Sequence, residues 1–213
     1  MAKPFSIKKQ VRENILKLKP YSSARDEYTG SASLFLDANE NPHNAPYNRY
    51  PDPKQNELKE LISSIKGVPK ESIFLGNGSD EGIDLLFRIL CEPGRDNVVT
   101  VDPTYGMYGV CAQINDVEQR SVLLESDFSL DPVRVLESVD ERTRMVFLCS
   151  PNNPTANSLD QNAMLRILEN AGCLVVVDEA YIDFSKDPGM LDRLNELDNL
   201  VVLQTLSKAW GLA

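Results

Sequence analysis

The sequence predicts an α/β protein: a mainly parallel sheet flanked by helices. Four short apolar runs carry this, at NVVTVD (97–102), RMVFLC (144–149), CLVVVD (173–178) and NLVVLQT (199–205). They are near-continuous in Val and Leu and do not alternate, as in strands buried on both faces. Segments of helical periodicity lie between and beside them, near 106–114, 132–139, 159–170 and 189–196. Strands separated by helices imply right-handed crossovers and a parallel sheet. A chain of 213 residues is long enough for one large domain or one and a half.

Taken in order, residues 1 to about 30 are polar and mixed, with a short amphipathic helix expected at Ser6–Lys17, ended by Pro20. The following LFLDANENPHNAPYNRYPDP (34–53) is dense in Asn and Pro and reads as an extended, turn-rich arm. A loop of that length is uncommon in a compact domain unless it has a function. From Pro53 the pattern becomes regular, which divides the chain into an arm (1–53) and a main domain (54–213). Lys54–Lys66 has helical spacing at Leu58, Leu61, Ile62 and Ile65 and stops at Gly67. SIFLGNGSDEG is a short apolar run, a glycine turn and an N-cap serine, Ser79. The helix it opens continues through Ile83–Cys91 to Pro93-Gly94, and its stripe Ile83, Leu86, Phe87, Leu90 is core packing.

A net charge of −10 argues against a nucleic-acid or anionic-membrane partner, which such a surface repels. Small anionic substrates remain open, because one helix terminus can outweigh the global field. The four cysteines (Cys91, Cys111, Cys149, Cys173) lie far apart without a CxxC pair, which suggests reduced thiols in a cytoplasmic protein and no metal site. No apolar stretch approaches the roughly 20 residues of a membrane helix, and the N-terminus lacks a signal-peptide apolar region. The one histidine, His43, sits in the arm and reads as a solvated loop residue.

In an open α/β sheet, ligands bind beyond the carboxyl ends of the strands. Unusual polar residues fall there in sequence. Gly76-Asn77-Gly78-Ser79 enters a helix, where glycines permit close backbone approach and the free N–H groups form an anion site. The same string also suits a simple capped helix, and Asp80-Glu81 oppose an anion unless their side chains point away. Tyr105, after NVVTVD, can offer its ring to a flat heteroaromatic ligand or pack half-buried in the core. SPNNPT (150–155) is a rigid turn presenting amides, from which an Asn can donate to a phenolate oxygen. Asp178 ends an apolar strand, so its carboxylate calls for a cationic partner such as a protonated pyridine nitrogen. NLVVLQT leads into Ser207-Lys208, a lysine suited to Schiff-base chemistry when desolvation frees its amine. Each signal alone has an ordinary structural reading; five in this order are jointly hard to obtain by chance.

With these motifs in hand, GNGSDEGI, PTYGMY, SPNNPT, VVVDEAY and TLSKAWGLA, preceded by LDANENP and RYPDP, the chain resembles the fold type I pyridoxal-phosphate (PLP) enzymes of the aspartate-aminotransferase superfamily. Within it the order is similar to the histidinol-phosphate aminotransferase family, from about Tyr21 onward. The resemblance implies that Lys208 forms the Schiff base and moves the proton between the substrate α-carbon and the cofactor. It implies that Asp178 pairs with the pyridinium nitrogen, that Tyr181 and Asn153 bond the phenolic oxygen, and that Tyr105 stacks on the ring. Ser79, the backbone at Asp80 and Glu81, and Thr205 with Ser207 would hold the phosphate. Tyr50 resembles the tyrosine that reaches a partner subunit's site in a homodimer, and Tyr21 a residue lining the substrate pocket, so the arm becomes a substrate- and dimer-contact segment. The implied reaction transfers an amino group between glutamate/2-oxoglutarate and histidinol phosphate/imidazole-acetol phosphate.

Two departures stand out. Ala156 follows SPNNPT where the family usually has glycine, a change between small residues expected to matter little. The family also continues beyond SKAWGLA with a phosphate-binding arginine and a C-terminal small domain, whereas no arginine follows Arg193 here. The expectation is therefore a partial large domain with an incomplete sheet and without the small domain, poor in substrate binding and low in stability. Two competing readings are an aromatic aminotransferase or phosphothreonine decarboxylase, and a catalytically silent fragment. A dinucleotide-binding reading of the glycine turn has Gly82 one residue late and Asp102 20 beyond it, and leaves Lys208 and SPNNPT unexplained.

Overall fold

The computed structural model describes residues 5–28, 30 and 32–213. They form two compact units, residues 17–75 and residues 1–16 with 76–213. In chain order the elements are three one-turn helices α1 (Ile7–Gln10), α2 (Glu13–Leu16) and α3 (Ala24–Glu27), then α4 (Asn56–Lys66) and α5 (Gly78–Leu90). There follow β1 (Asn97–Asp102), α6 (Met107–Ile114), β2 (Glu118–Leu123), α7 (Pro132–Glu137), β3 (Thr143–Cys149), α8 (Gln161–Asn170), β4 (Leu174–Asp178) and β5 (Leu200–Leu203).

The larger unit is a five-stranded sheet of order β2-β1-β3-β4-β5, parallel at every pairing. The order reverses between β1 and β3, the switch point where doubly wound sheets open a crevice. Val99, Val101, Val146, Leu148, Val175 and Val177 pack with Val135 of α7 and Met164, Ile167 and Leu168 of α8 on one face. Val98, Phe147, Cys149 and Val176 pack with Ile83, Phe87 and Leu90 of α5 and Tyr108 and Cys111 of α6 on the other. Both faces are covered, which is why these strands are apolar throughout. The register sets Cys149 beside Asp178, and Asp178 beside Leu203. Registered neighbours share a face, so Asp178 emerges on the α5/α6 side.

The structure differs from the sequence expectation at five places. The helix expected at Ser6–Lys17 is two single turns, because Val11 is extended and the Arg12 N–H donates to Ile89 O at the end of α5. Arg12 also bonds Glu92 at 3.1 Å, so this segment straps onto α5. Ser79 is not the N-cap: α5 begins at Gly78 and Asn77 holds the cap position. No strand leads into this turn, since residues 73–77 are irregular, so the glycine turn does not sit at a strand end and the βαβ unit a dinucleotide site needs is missing there. Strand β2, at the sheet edge, escaped the apolar-run criterion because only Val122 in it is buried. The helix near 189–196 is a single 3-10 turn, Leu191–Arg193.

The smaller unit holds α3, α4 and the arm from Lys17 onward. Its organising group is Glu40, which accepts from Arg25 at 3.1 Å, from Arg49 at 2.6 Å and from the Tyr50 N–H at 2.8 Å. Arg25 also forks onto Asp37 at 2.8 and 3.1 Å.

Candidate active site

The carboxyl ends of β1, β3, β4 and β5 and the first turn of α5 converge on one cleft. It is lined by Ser79 and Asp80 from α5, Tyr105, Asn153, Asp178 and Tyr181 from three strand exits, and Thr205, Ser207 and Lys208 beyond β5. Nine of the ten residues expected at a cofactor thus meet in one place. Glu81 does not line the cleft: its carboxylate turns back to the Asn77 N–H. Gly78 of the glycine turn also lines it, as do Cys149 and Ala180, to which the sequence assigned no role in a site. Tyr21 and Tyr50 lie in the smaller unit, 91% and 71% exposed.

The floor of the cleft is Asp178, 2% exposed. Its Oδ2 accepts from the Tyr108 hydroxyl at 2.7 Å and its Oδ1 from the Ala180 N–H at 3.0 Å. Burial pushes its carboxyl above the usual carboxylate range, against the pull of those two bonds. Among the described residues no cation lies within ion-pairing distance of it. The sequence pattern gives Tyr108 no distinction from a core residue of α6; the available signal is a second tyrosine in the first turn of that helix, close after Tyr105 at the β1 exit.

Tyr105 is half-buried, and its hydroxyl donates to Asp80 at 3.1 Å. Burial, then this bond, pushes its phenol up to about 12, so it remains a donor. Its ring meets that of Tyr108 edge-on, 5.7 Å between centroids. The two asparagines of SPNNPT divide their work. Asn152 is buried, donating to Pro103 O at 2.9 Å and Thr155 Oγ1 at 2.7 Å and accepting from Thr104 at 3.0 Å, which ties the β1 and β3 exits together. Asn153 is left to line the cleft. The turn closes through Ala156 at φ +62°, the left-handed region that favours glycine, so the exchange for a family glycine carries strain.

At the cleft's other end, the Thr205 hydroxyl donates to Ser207 Oγ at 2.9 Å and accepts from the Ser207 N–H at 3.2 Å, a preformed hydroxyl pair. It lines the same cleft as the first turn of α5, whose N–H groups have no intrahelical acceptors. Lys208 is exposed, with Nζ 5.8 Å from the centre of the Tyr181 ring. The exit of β5 is braced by the buried Glu179, which accepts from Gln204 Nε2 at 2.9 Å and from the Met190 N–H.

Comparisons with known proteins give the family and the fold. A family model described as aminotransferase class I and II matches residues 29–213. A histidinol-phosphate aminotransferase of Parabacteroides distasonis is 61% identical over 207 residues, 97% of this chain and 60% of that protein. One of Bacteroides thetaiotaomicron is 59% identical over 209 residues, 98% of this chain and 60% of that protein. The crystal structure of histidinol-phosphate aminotransferase from Sinorhizobium meliloti in complex with pyridoxal-5'-phosphate superposes with a TM-score of 0.70 at 24% identity, over 77% of this chain and 46% of that one, and shows the shared fold. The chain spans about 60% of the length of the curated relatives it matches.

The donor set fits pyridoxal phosphate. A buried carboxylate with no cation at ion-pairing distance among the described residues suits a pyridinium nitrogen, and a helix N-terminus and a hydroxyl pair lining one cleft suit a phosphate. A primary amine and a half-buried phenol ring line the same cleft. By the family match over 185 of its residues and by this cleft, the chain belongs to the class I and II aminotransferases, which are PLP-dependent.

Proposed function

We propose that this chain carries the cofactor-binding site of a transaminase that moves an amino group between glutamate/2-oxoglutarate and histidinol phosphate/imidazole-acetol phosphate. The observation that carries it is the meeting of Asp178, Lys208, Tyr105, Asn153 and Tyr181 in one cleft, in a chain 61% identical to a histidinol-phosphate aminotransferase. When bound, PLP supplies an electron-poor ring that stabilises negative charge on the substrate α-carbon.

The chain's residues prepare for that. Asp178 would hold a proton at the ring nitrogen by pairing with its cation. Lys208 would hold the cofactor through its amine and would move the proton to and from the substrate α-carbon. Asn153 and Tyr181 would bond the phenolic oxygen, Tyr105 would offer its ring to the cofactor's ring, and Ser79, the N–H groups of Asp80 and Glu81, Thr205 and Ser207 would hold the phosphate. Turning the Glu81 side chain back to Asn77 keeps one carboxylate away from that phosphate. The arm residues Tyr21 and Tyr50 would contact substrate, Tyr50 in the site of a second copy, which their exposure permits. Four buried cysteines that form no disulfide support a cytoplasmic setting; among the described residues no helix is long and apolar enough to cross a membrane.

The test is a single-turnover reaction of the PLP-loaded chain with histidinol phosphate, followed by the cofactor's absorption. Bleaching of the yellow form by histidinol phosphate and its return with 2-oxoglutarate are expected. Bleaching by aromatic amino acids alone, or carbon dioxide release from phosphothreonine, would replace the substrate assignment.

A further inference from the structure

We propose that Tyr108 is a positioning residue for the cofactor's ring nitrogen, acting through Asp178. The inference rests on the proposed pairing of Asp178 with that nitrogen. Tyr108 is 0% exposed and donates to Asp178 Oδ2 at 2.7 Å, within the range of charge-assisted O–H···O⁻ bonds. Its ring is fixed between Phe147, stacked at 4.7 Å and 20°, and Tyr105, edge-on at 5.7 Å and 85°. Phe147 stacks in turn on Phe87 at 5.6 Å, so an aromatic column runs from the α5 core to the cleft.

In such a column phenylalanine would pack as well as tyrosine. The hydroxyl is the one polar atom at its cleft end, and an unbonded hydroxyl buried there would be costly. Its placement is explained by the carboxylate it meets. Burial raises the Tyr108 phenol, so it stays protonated and always donates. The bond opposes the desolvation that favours protonated Asp178, and keeps the carboxylate ionised and oriented for a cation. The other groups facing Asp178 do not substitute: Cys149 is a thiol pushed up to about 12 by burial, and Asp80 disfavours the charge. Tyr105 is committed to Asp80.

The test measures dissociation constants of PLP and of its 1-deaza analogue, which carries CH in place of the ring nitrogen, for the parent chain and Tyr108→Phe. The parent is expected to prefer PLP. Tyr108→Phe should lose about 10- to 100-fold in PLP affinity, the worth of one hydrogen bond to a charged group, and little for the analogue. Analogue binding doubles as the control that the variant is folded. Equal loss for both ligands makes Tyr108 a packing residue and overturns the inference, as does an unchanged PLP affinity. A parent chain that binds both ligands equally, or neither, refutes the Asp178–nitrogen pairing itself, and the inference falls with it.

Discussion

Replacing Asp178 by Asn should make the cofactor-free chain more stable while weakening its grip on PLP. The carboxylate is buried, has no cation at ion-pairing distance among the described residues and holds two hydrogen bonds. The effective penalty for burying an ion is several kcal/mol. Asn keeps an acceptor for Ala180 and a contact for Tyr108, and forfeits only the charge-assisted part of those bonds, about 1–2 kcal/mol. A net gain of about 1–2 kcal/mol corresponds to a rise of roughly 2–8 °C in melting temperature for a chain of this size. The pH dependence has a fixed sign. Burial raises the Asp178 pKa above its ordinary 3.8, so the folded state binds the proton more readily than the unfolded one. The penalty is full above the folded value and fades as pH falls toward 3.8. Thermal melts of both proteins without cofactor, from neutral to acid pH, should show Asp178→Asn higher at neutral pH and the gap closing in acid. A variant that melts lower at neutral pH, or a gap independent of pH, would refute the reasoning that the carboxylate is kept at a cost to the fold.

Three more perturbations separate strain, packing and charge. Ala156→Gly relieves a left-handed backbone and should raise stability by about 1 kcal/mol in denaturant unfolding. At Gly189, φ is +72° and an added Cβ would lie 2.6 Å from Glu179 Oε1, so Gly189→Ala should cost about 2–4 kcal/mol and loosen the bracing of Gln204. The Glu40 carboxyl is lowered from 4.5 to about 2, chiefly by its bond from Arg25 and then by the Tyr50 N–H and Arg49. Its contribution to the arm is therefore present above pH 4.5 and lost as pH falls toward 2, which amide exchange at Tyr50 should report as protection disappearing in that window.

Legibility in the sequence followed burial. Strands β1, β3, β4 and β5 were readable because both faces are covered and the residues are apolar throughout, whereas β2, at the edge, presents Glu118, Gln119 and Arg120 and resembles a loop. The pattern at 189–196 suits a helix, but the left-handed Gly189 and the grip of Glu179 on the Met190 N–H limit it to one turn. At the cleft, residues whose chemistry stands out against an apolar strand (Asp178, Lys208, Tyr105) could be picked from the chain. Partners could not. Tyr108 is 70 positions from Asp178, and nothing local distinguishes a core tyrosine from one bonded to a carboxylate. The strain at Ala156 was likewise invisible, since residue size says nothing about φ.

The most direct test of the central claim is borohydride reduction of the chain with PLP, followed by peptide mapping, beside a Lys208→Ala variant. The account predicts a yellow, reducible complex in the parent, with the reduced pyridoxyl group on the peptide carrying Lys208, and no such adduct in the variant. An adduct on another lysine, or one equally abundant in Lys208→Ala, would contradict it.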